Sequence, residues 1–460
     1  MELKKLFGDR AFYRRTLAIA APMIIQNAVT NLVNLLDNVM VGALGTEQMS
    51  GTSIVNQFVF IFNLAIFGAI SAAGIFTAQY NGKGDDDGVR YTMRAKLVIC
   101  AVIGILGIAV FSLFGSPLIA SFLHEGTEGD LVATLRYGEE YLAFLIIGFI
   151  PFAISQAYAS TLRETGETVL PMISSVASVL TNFVLNGVLI FGLFGVPALG
   201  VVGAAVATSV SRFVELAILV IWTHRNTEKC RFAKGLLSSL FVPISLIRQI
   251  SVKGLPILAN EMMWSLSVTI RNQCYSTRGL DVVAALNITM TLLNLLSVAY
   301  FALSNSVGII MGNMLGAGRI EEAKEENRRL LIFAAEAGVV MMLVQLSLSS
   351  LFPLIYNTTD AVRSMAADMI ALTALSMPLA ALATSCYYTI RSGGRVVVTL
   401  LFDSVYAWVI MMPVAASLAY FTSLPILPLM ALVMVAENLK ILPGLILVWR
   451  GGWAKKLKID

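Results

Sequence analysis

Charge is scarce in this chain. Asp, Glu, Lys and Arg make up 13% of its 460 residues, where a soluble domain carries about 25%. Histidine is rarer still, with two residues, His124 and His224. Both fall in stretches that read as loops, where a solvated histidine is commoner than a ligand. Of the four cysteines, Cys100, Cys274 and Cys386 sit in apolar runs and Cys230 in a loop, with no CxxC spacing. That pattern supports neither a disulfide framework nor a metal site. There is no GxxxxGKS or GxxxxGKT loop to cradle ATP, and neither HExxH nor GxSxG occurs. An ATP-driven pump, a zinc protease and a serine hydrolase are therefore not expected, and no enzyme activity or cofactor is. Low-complexity tracts are absent. The first apolar run is too long for a secretory signal and lacks a small-residue cleavage pattern.

What is abundant is apolar surface. The chain is 57% hydrophobic, with mean hydropathy +0.81. Apolar runs separated by short charged loops read as transmembrane helices. Twelve are expected, over residues 15–40, 52–80, 94–116, 136–162, 169–194, 198–222, 247–274, 284–314, 330–353, 363–390, 396–421 and 424–449. Several exceed the roughly 20 residues a bilayer needs, which implies tilt or cytoplasmic extension. Basic residues cluster before the first run (Lys4, Lys5, Arg10, Arg14, Arg15) and after every even-numbered one. These include Lys83, Arg90, Arg94 and Lys96, then Arg225 to Lys253, Arg319 to Arg329, and Arg450 to Lys458. Only Arg136, Arg278 and Arg363 fall in loops on the opposite side. The positive-inside rule places both termini in the cytoplasm. The net charge of +4 is thus an orientation signal and gives no reason to expect nucleic-acid binding.

The chain is duplicated. Pro22, Gly74, Gly82 and Gly84 recur 234 positions later as Pro256, Gly308, Gly316 and Gly318. The expected division is residues 1–225, a cytoplasmic linker at 226–245, and 246–460. Six helices per half give both copies one orientation, related by an axis along the membrane normal. Leu236, Leu237, Leu240 and Phe241 in the linker suggest an interfacial segment. Two membrane halves of one design point to a transporter with its site at the repeat interface.

The run Asp37-Asn38-Val39-Met40-Val41-Gly42-Ala43-Leu44-Gly45 resembles the end-of-helix-1 signature of the multidrug and toxic compound extrusion (MATE) family. Gly82-Lys83-Gly84, the turn from Leu162-Arg163 to Thr168, and Gly203 to Thr208 also match, as do Glu437, Lys440 and Trp453. The resemblance covers both halves. It implies an all-α integral membrane fold, with twelve transmembrane helices in two pseudo-symmetric six-helix bundles forming a V-shaped cleft. It also implies export of drugs and other organic cations, driven by inward Na+ or H+. A monomer in the bacterial inner membrane is expected, with small molecules and the lipid bilayer as its partners. A flippase for lipid-linked oligosaccharides is the alternative from the same superfamily, although such proteins carry several basic residues in the cavity. A channel or a non-transporting sensor is the alternative from a different class.

Intramembrane carboxylates are functional candidates by default. The resemblance places Asp37 in a cation site with Asn182, Asn186 and Thr208, which would hold Na+ in a Na+-coupled protein. A carboxylate, two amide oxygens and a hydroxyl suit a hard cation, and the two asparagines, four apart, share a helix face. The competing reading makes Asp37 an interfacial residue and the asparagines interhelical glue. Glu261 matches a glutamate of a second cation site in one branch of the family. The aspartate that accompanies it there is missing from Pro378 to Leu382. Glu261 therefore reads equally as a proton carrier and as a buried structural group. Arg271 is the repeat mate of Asp37, and reads as a gate at the outer mouth or as a side chain reaching the outer interface. Gln156 and Arg271 are candidate substrate-cavity residues. Phe58, Phe62, Trp264, Tyr300 and Trp408 offer stacking surfaces, and Met262, Met263, Met311, Met314, Met411 and Met412 a pliable wall. Asp403 lies 12 residues past Arg391 and Lys440 ten before Arg450, so both sit at similar depth and are expected to pair.

Overall fold

A computed structural model describes residues 8–123 and 130–457. His124, Lys4, Lys5 and Lys458 lie outside the described residues. Those described form helices and short turns, with no strand among them. In chain order the long helices are α1 (Arg10–Gly42), α2 (Thr46–Lys83), α3 (Asp86–Ala120), α4 (Leu131–Glu164), α5 (Val169–Phe191) and α6 (Gly200–Arg225). The second half holds α7 (Ile244–Ser276), α8 (Leu280–Gly316), α9 (Ile320–Leu348), the pair Asp360–Ala374 and Met377–Ser392 that together form α10, α11 (Val396–Phe421) and α12 (Ile426–Trp449). The protein is an all-α integral membrane protein.

Ten of these helices are long and apolar enough to cross a bilayer, and the two α10 segments, bent by 47°, supply an eleventh span. The helix that falls short is α7, which is long enough at 33 residues. Its apolar run is broken by Arg248, Lys253, Asn260, Glu261 and Arg271. The helix that carries the candidates Glu261 and Arg271 is thus the one least like a lipid-facing span.

Helix ends follow local chemistry. The Asp85 side chain accepts from Gly88 N at 2.8 Å and starts α3, with Asp86 and Asp87 in its first turn. Asp130 accepts from Val132 N and Ala133 N at 2.9 and 3.0 Å and starts α4. Side-chain oxygens at these positions meet backbone donors that have no partner inside the helix. The repeated prolines, Pro22 and Pro256, both lie inside helices, each removing one ladder hydrogen bond.

Two compact units emerge. One contains residues 25–77 and 85–250; the other contains the chain up to Ile24, residues 78–84 and everything from Ser251. In the first, Phe58, Phe62, Phe149 and Tyr141 form the apolar centre, with Phe62 stacked on Phe149 at 4.3 Å between centroids. Helices α5 and α6 make a close hairpin. A Cβ on Gly203 would stand 2.6 Å from the Leu189 carbonyl oxygen, and Ser178 Oγ donates to the Ser211 carbonyl at 2.9 Å. In the second unit, Met311, Met411, Met412 and Met314 are core residues. Those methionines, like Phe58 and Phe62 in the first unit, pack into the apolar interior of their own unit.

Two of the basic residues read as an orientation signal, Arg94 and Lys96, are buried on α3. Lys96 is 1% exposed, forms an ion pair with Glu164, and donates to Ser160 Oγ and Thr161 Oγ1, both at 3.1 Å. Arg94 donates to the carbonyls of Gly235, Leu236 and Phe241 at 2.6, 2.9 and 3.3 Å. It thereby fixes the linker after α6 to α3. Leu236 is buried there, while Leu237, Leu240 and Phe241 are exposed. His224 is not a free loop residue either, since its Nε2 lies 3.0 Å from Tyr158 OH.

Candidate ion-coupling site

Asp37 approaches the C-terminal end of α1, and the α5–α6 hairpin brings its partners to it. Asn186 Nδ2 donates to Asp37 Oδ1 at 2.7 Å. Asn182 sits one turn earlier on the same face of α5. With its amide oriented to satisfy its neighbours, Nδ2 donates to both Asp37 oxygens at 2.8 and 2.9 Å, and Oδ1 accepts from Thr208 Oγ1 at 3.1 Å. In the opposite orientation, Asn182 Oδ1 joins the carboxylate oxygens and Nδ2 faces Thr208 Oγ1 at 3.1 Å. Asn182 and Asn186 are 5% and 1% exposed, and Asn186 Oδ1 is buried with no hydrogen-bond partner. A buried acceptor without a donor is costly. It belongs to a cluster of one carboxylate, two amides and one hydroxyl, a donor set of the kind a small hard cation takes.

Four of the residues expected at the site are thus together, in one unit. Gln156, on α4 of the same unit, is half-buried and makes no hydrogen bond to them. Glu261 and Arg271 belong to the other unit. Sequence reasoning missed Arg212, whose charge is close enough to interact with Asp37. Arg212 pairs with Glu215 at 3.2 Å and lies over the Phe152 ring at 4.8 Å. The signal was present in the sequence, since Arg212 stands four residues after Thr208 and so on its face of α6.

A second polar centre occupies the other unit. Lys440 Nζ donates to Asp403 Oδ1 at 2.9 Å, the ion pair expected from their matched depths. Asn260 Nδ2 donates to Asp403 Oδ2 at 3.2 Å, and Ser404 Oγ donates to Asn260 Oδ1 at 2.7 Å. Asp403 and Ser404 lie in a π-helical stretch, Leu401–Val405, followed by another at Ala407–Met411. Such widened turns recur at functional sites. Arg271 Nη1 donates to Glu437 Oε2 at 2.6 Å, and its side chain is 13% exposed. Its guanidinium is thus turned toward Glu437 within the unit and does not extend away from it. Glu261 neighbours Asn260, and its charge interacts with Arg391 and Asp403 without an ion pair closer than 4.0 Å among the described residues.

A sequence profile of the MatE family matches residues 22–188 and 256–420, two stretches that start 234 apart, the interval of the glycine and proline repeat. The chain belongs to the MatE family. It is a membrane transporter. Among curated relatives, a probable multidrug resistance protein NorM of Thermotoga maritima is 26% identical over 72% of this chain and 70% of its own. A NorM protein of Halalkalibacterium halodurans is 25% identical over 89% and 88%. A crystal structure of a MATE protein in complex with MaD3S superposes with a TM-score of 0.86 at 17% identity, covering 99% of both chains. In this MatE chain the paired asparagines and Thr208 are gathered on one carboxylate, and the other unit holds a ladder of two ion pairs.

Proposed function

We propose that this transporter exports drugs or other organic cations in exchange for inward-moving Na+ or H+, with the ion held at Asp37. The observation that carries this reading is the half-buried Asp37 carboxylate, gathered with the buried Asn182 and Asn186 and with Thr208, where one amide oxygen of the group is unpartnered. The Asn182 amide suits both states of such a site. Turned one way its nitrogen caps the carboxylate; turned the other its oxygen adds a ligand for a cation. Ion binding and release then bias two global conformations, and substrate leaves in the state the ion favours, which is alternating access. The drug-resistance names of the NorM relatives support the substrate class. A bacterial inner-membrane location with both termini cytoplasmic accords with the distribution of basic residues, and the transporter is proposed to act as a monomer. Glu261 is proposed as a second protonatable group. A flippase is disfavoured, because Arg271, its main candidate for holding a phosphate, is committed to Glu437.

The test is efflux of a fluorescent cation from loaded vesicles, with Na+ and H+ gradients imposed separately. One gradient should drive uphill export, and Asp37→Asn should abolish it at normal membrane expression. Full export by that variant would remove Asp37 from the coupling site. Ion conductance without uphill export would point to a channel.

A further inference from the structure

We propose that a cleft between the cytoplasmic ends of α9 and α12 binds one anionic phospholipid of the inner leaflet. The cleft has a volume of about 400 Å³. Its walls are apolar, formed by Leu331 on α9 and by Leu442, Ile446 and Trp449 on α12. Its polar groups are Lys324, Asn327 and Arg328, and no carboxylate lines it among the described residues.

The chemistry is ordered along α9. Lys324 and Arg328 are one turn apart at the start of that helix, and Leu331 follows. At 1.5 Å per residue the distance from Lys324 to Leu331 is about 10 Å, which is the step from headgroup to first acyl carbons. Trp449 is 81% exposed and precedes Arg450 at the end of α12, the place of an interfacial aromatic anchor. The rim therefore lies at phosphate level and the walls at acyl level. Basic pockets between helices on the cytoplasmic side are suited to anionic headgroups.

Asn327 supplies an independent observation. It is 1% exposed, and its Oδ1 accepts from Thr389 Oγ1 at 2.7 Å, while Nδ2 is buried without a partner. A buried donor without an acceptor is unfavourable, and a phosphate or glycerol-ester oxygen would satisfy it. Arg328 has no ion pair within 4.0 Å among the described residues. Lys324 holds Glu321 at 2.7 Å, but Glu321 is 83% exposed, and an exposed pair of this kind exchanges readily. Two cations and one neutral donor, with no facing acid, select an anionic headgroup over a zwitterionic one.

The test uses the full chain in detergent, reading thermal unfolding and lipid retention in native mass spectrometry. Titrants are phosphatidylglycerol, phosphatidylcholine and inorganic phosphate. Phosphatidylglycerol should raise the melting temperature and stay bound at one copy. Each of Lys324→Gln and Arg328→Gln should weaken its half-saturation by roughly fivefold. Ile446→Trp, which fills the apolar wall, should weaken it with the rim charges intact and guards against a folding defect in the rim variants. An equal response to phosphatidylcholine or to inorganic phosphate overturns the proposal. So does an unchanged phosphatidylglycerol response in a monodisperse Lys324→Gln/Arg328→Gln double variant.

Discussion

Gly82 on α2 and Gly316 on α8, equivalent positions of the two repeats, make reciprocal backbone contacts. A Cβ on Gly82 would collide with the carbonyl oxygen of Asn313, and one on Gly316 with that of Gln79. Gln79 and Asn313 are themselves repeat equivalents, and Asn81 Nδ2 donates to Asn313 Oδ1 at 2.6 Å. The glycines thus let two helix ends cross backbone on backbone within one compact unit. Gly82→Ala and Gly316→Ala should each destabilise this packed state by about 1–3 kcal/mol, the cost of overpacking a close contact. Gly187→Ala is the control. Its added methyl would meet only Leu193 Cδ1, at 3.8 Å, so the melting temperature should stay or rise slightly. Equal melting temperatures for all three variants would show that the crossing is loose.

Repeat spacing made the duplication legible, but the backbone contact between Gly82 and Gly316 was not among the expectations. The helices were legible because lipid demands long apolar runs, and Asp37 because a carboxylate seldom interrupts one; its grouping with Asn182, Asn186 and Thr208 came from the family resemblance. The Asp403–Lys440 pair followed from depth alone. Depth could not assign Arg271 to Glu437, because partner choice between distant helices depends on how they rotate about their own axes. The burial of Lys96 and Arg94 was illegible for a related reason. The positive-inside pattern reports the side of the membrane and is silent on whether a cation meets water or a buried acceptor.

The Lys440–Asp403 pair is enclosed, with both side chains 17% exposed. Removing one member of such a pair leaves an uncompensated charge and costs roughly 3–5 kcal/mol, whereas removing both is much milder. Lys440→Met and Asp403→Asn should therefore each lower the melting temperature sharply, and the double variant should recover most of the loss. A double variant as unstable as the sum of the singles would mean that the two charges do not depend on each other.

Arg271 provides a sharper contrast. Its repeat equivalence to Asp37 suggests a gate, but its hydrogen-bonded partner is Glu437. Arg271→Gln combined with Glu437→Gln should show a coupling energy of about 1–3 kcal/mol in thermal unfolding. Arg271→Gln combined with Asp37→Asn should be additive to within about 0.5 kcal/mol. Coupling to Asp37 instead would restore the gate.

Arg94 binds the linker through three carbonyls, and Cys230 in that linker is 3% exposed. Burial pushes the Cys230 thiol up to about 11, with Glu167 adding to the shift and Lys229 opposing it. The thiolate is the reactive form. In a background where Cys100, Cys274 and Cys386 are alanine, maleimide labelling of Cys230 should be slow at pH 7.5. Its rate should climb about tenfold per pH unit until the pH approaches the folded value. Arg94→Ala removes charge-assisted hydrogen bonds worth roughly 1.5–3 kcal/mol each, so the linker should open and expose the thiol. Labelling should then accelerate at least tenfold at pH 7.5, and its pH profile should level off near the ordinary thiol value of roughly 8.5. The shape of that profile separates a released linker from a merely faster reaction. A faster rate that still climbs toward pH 11 would mean the thiol remains buried and that Arg94 does not hold the linker in place.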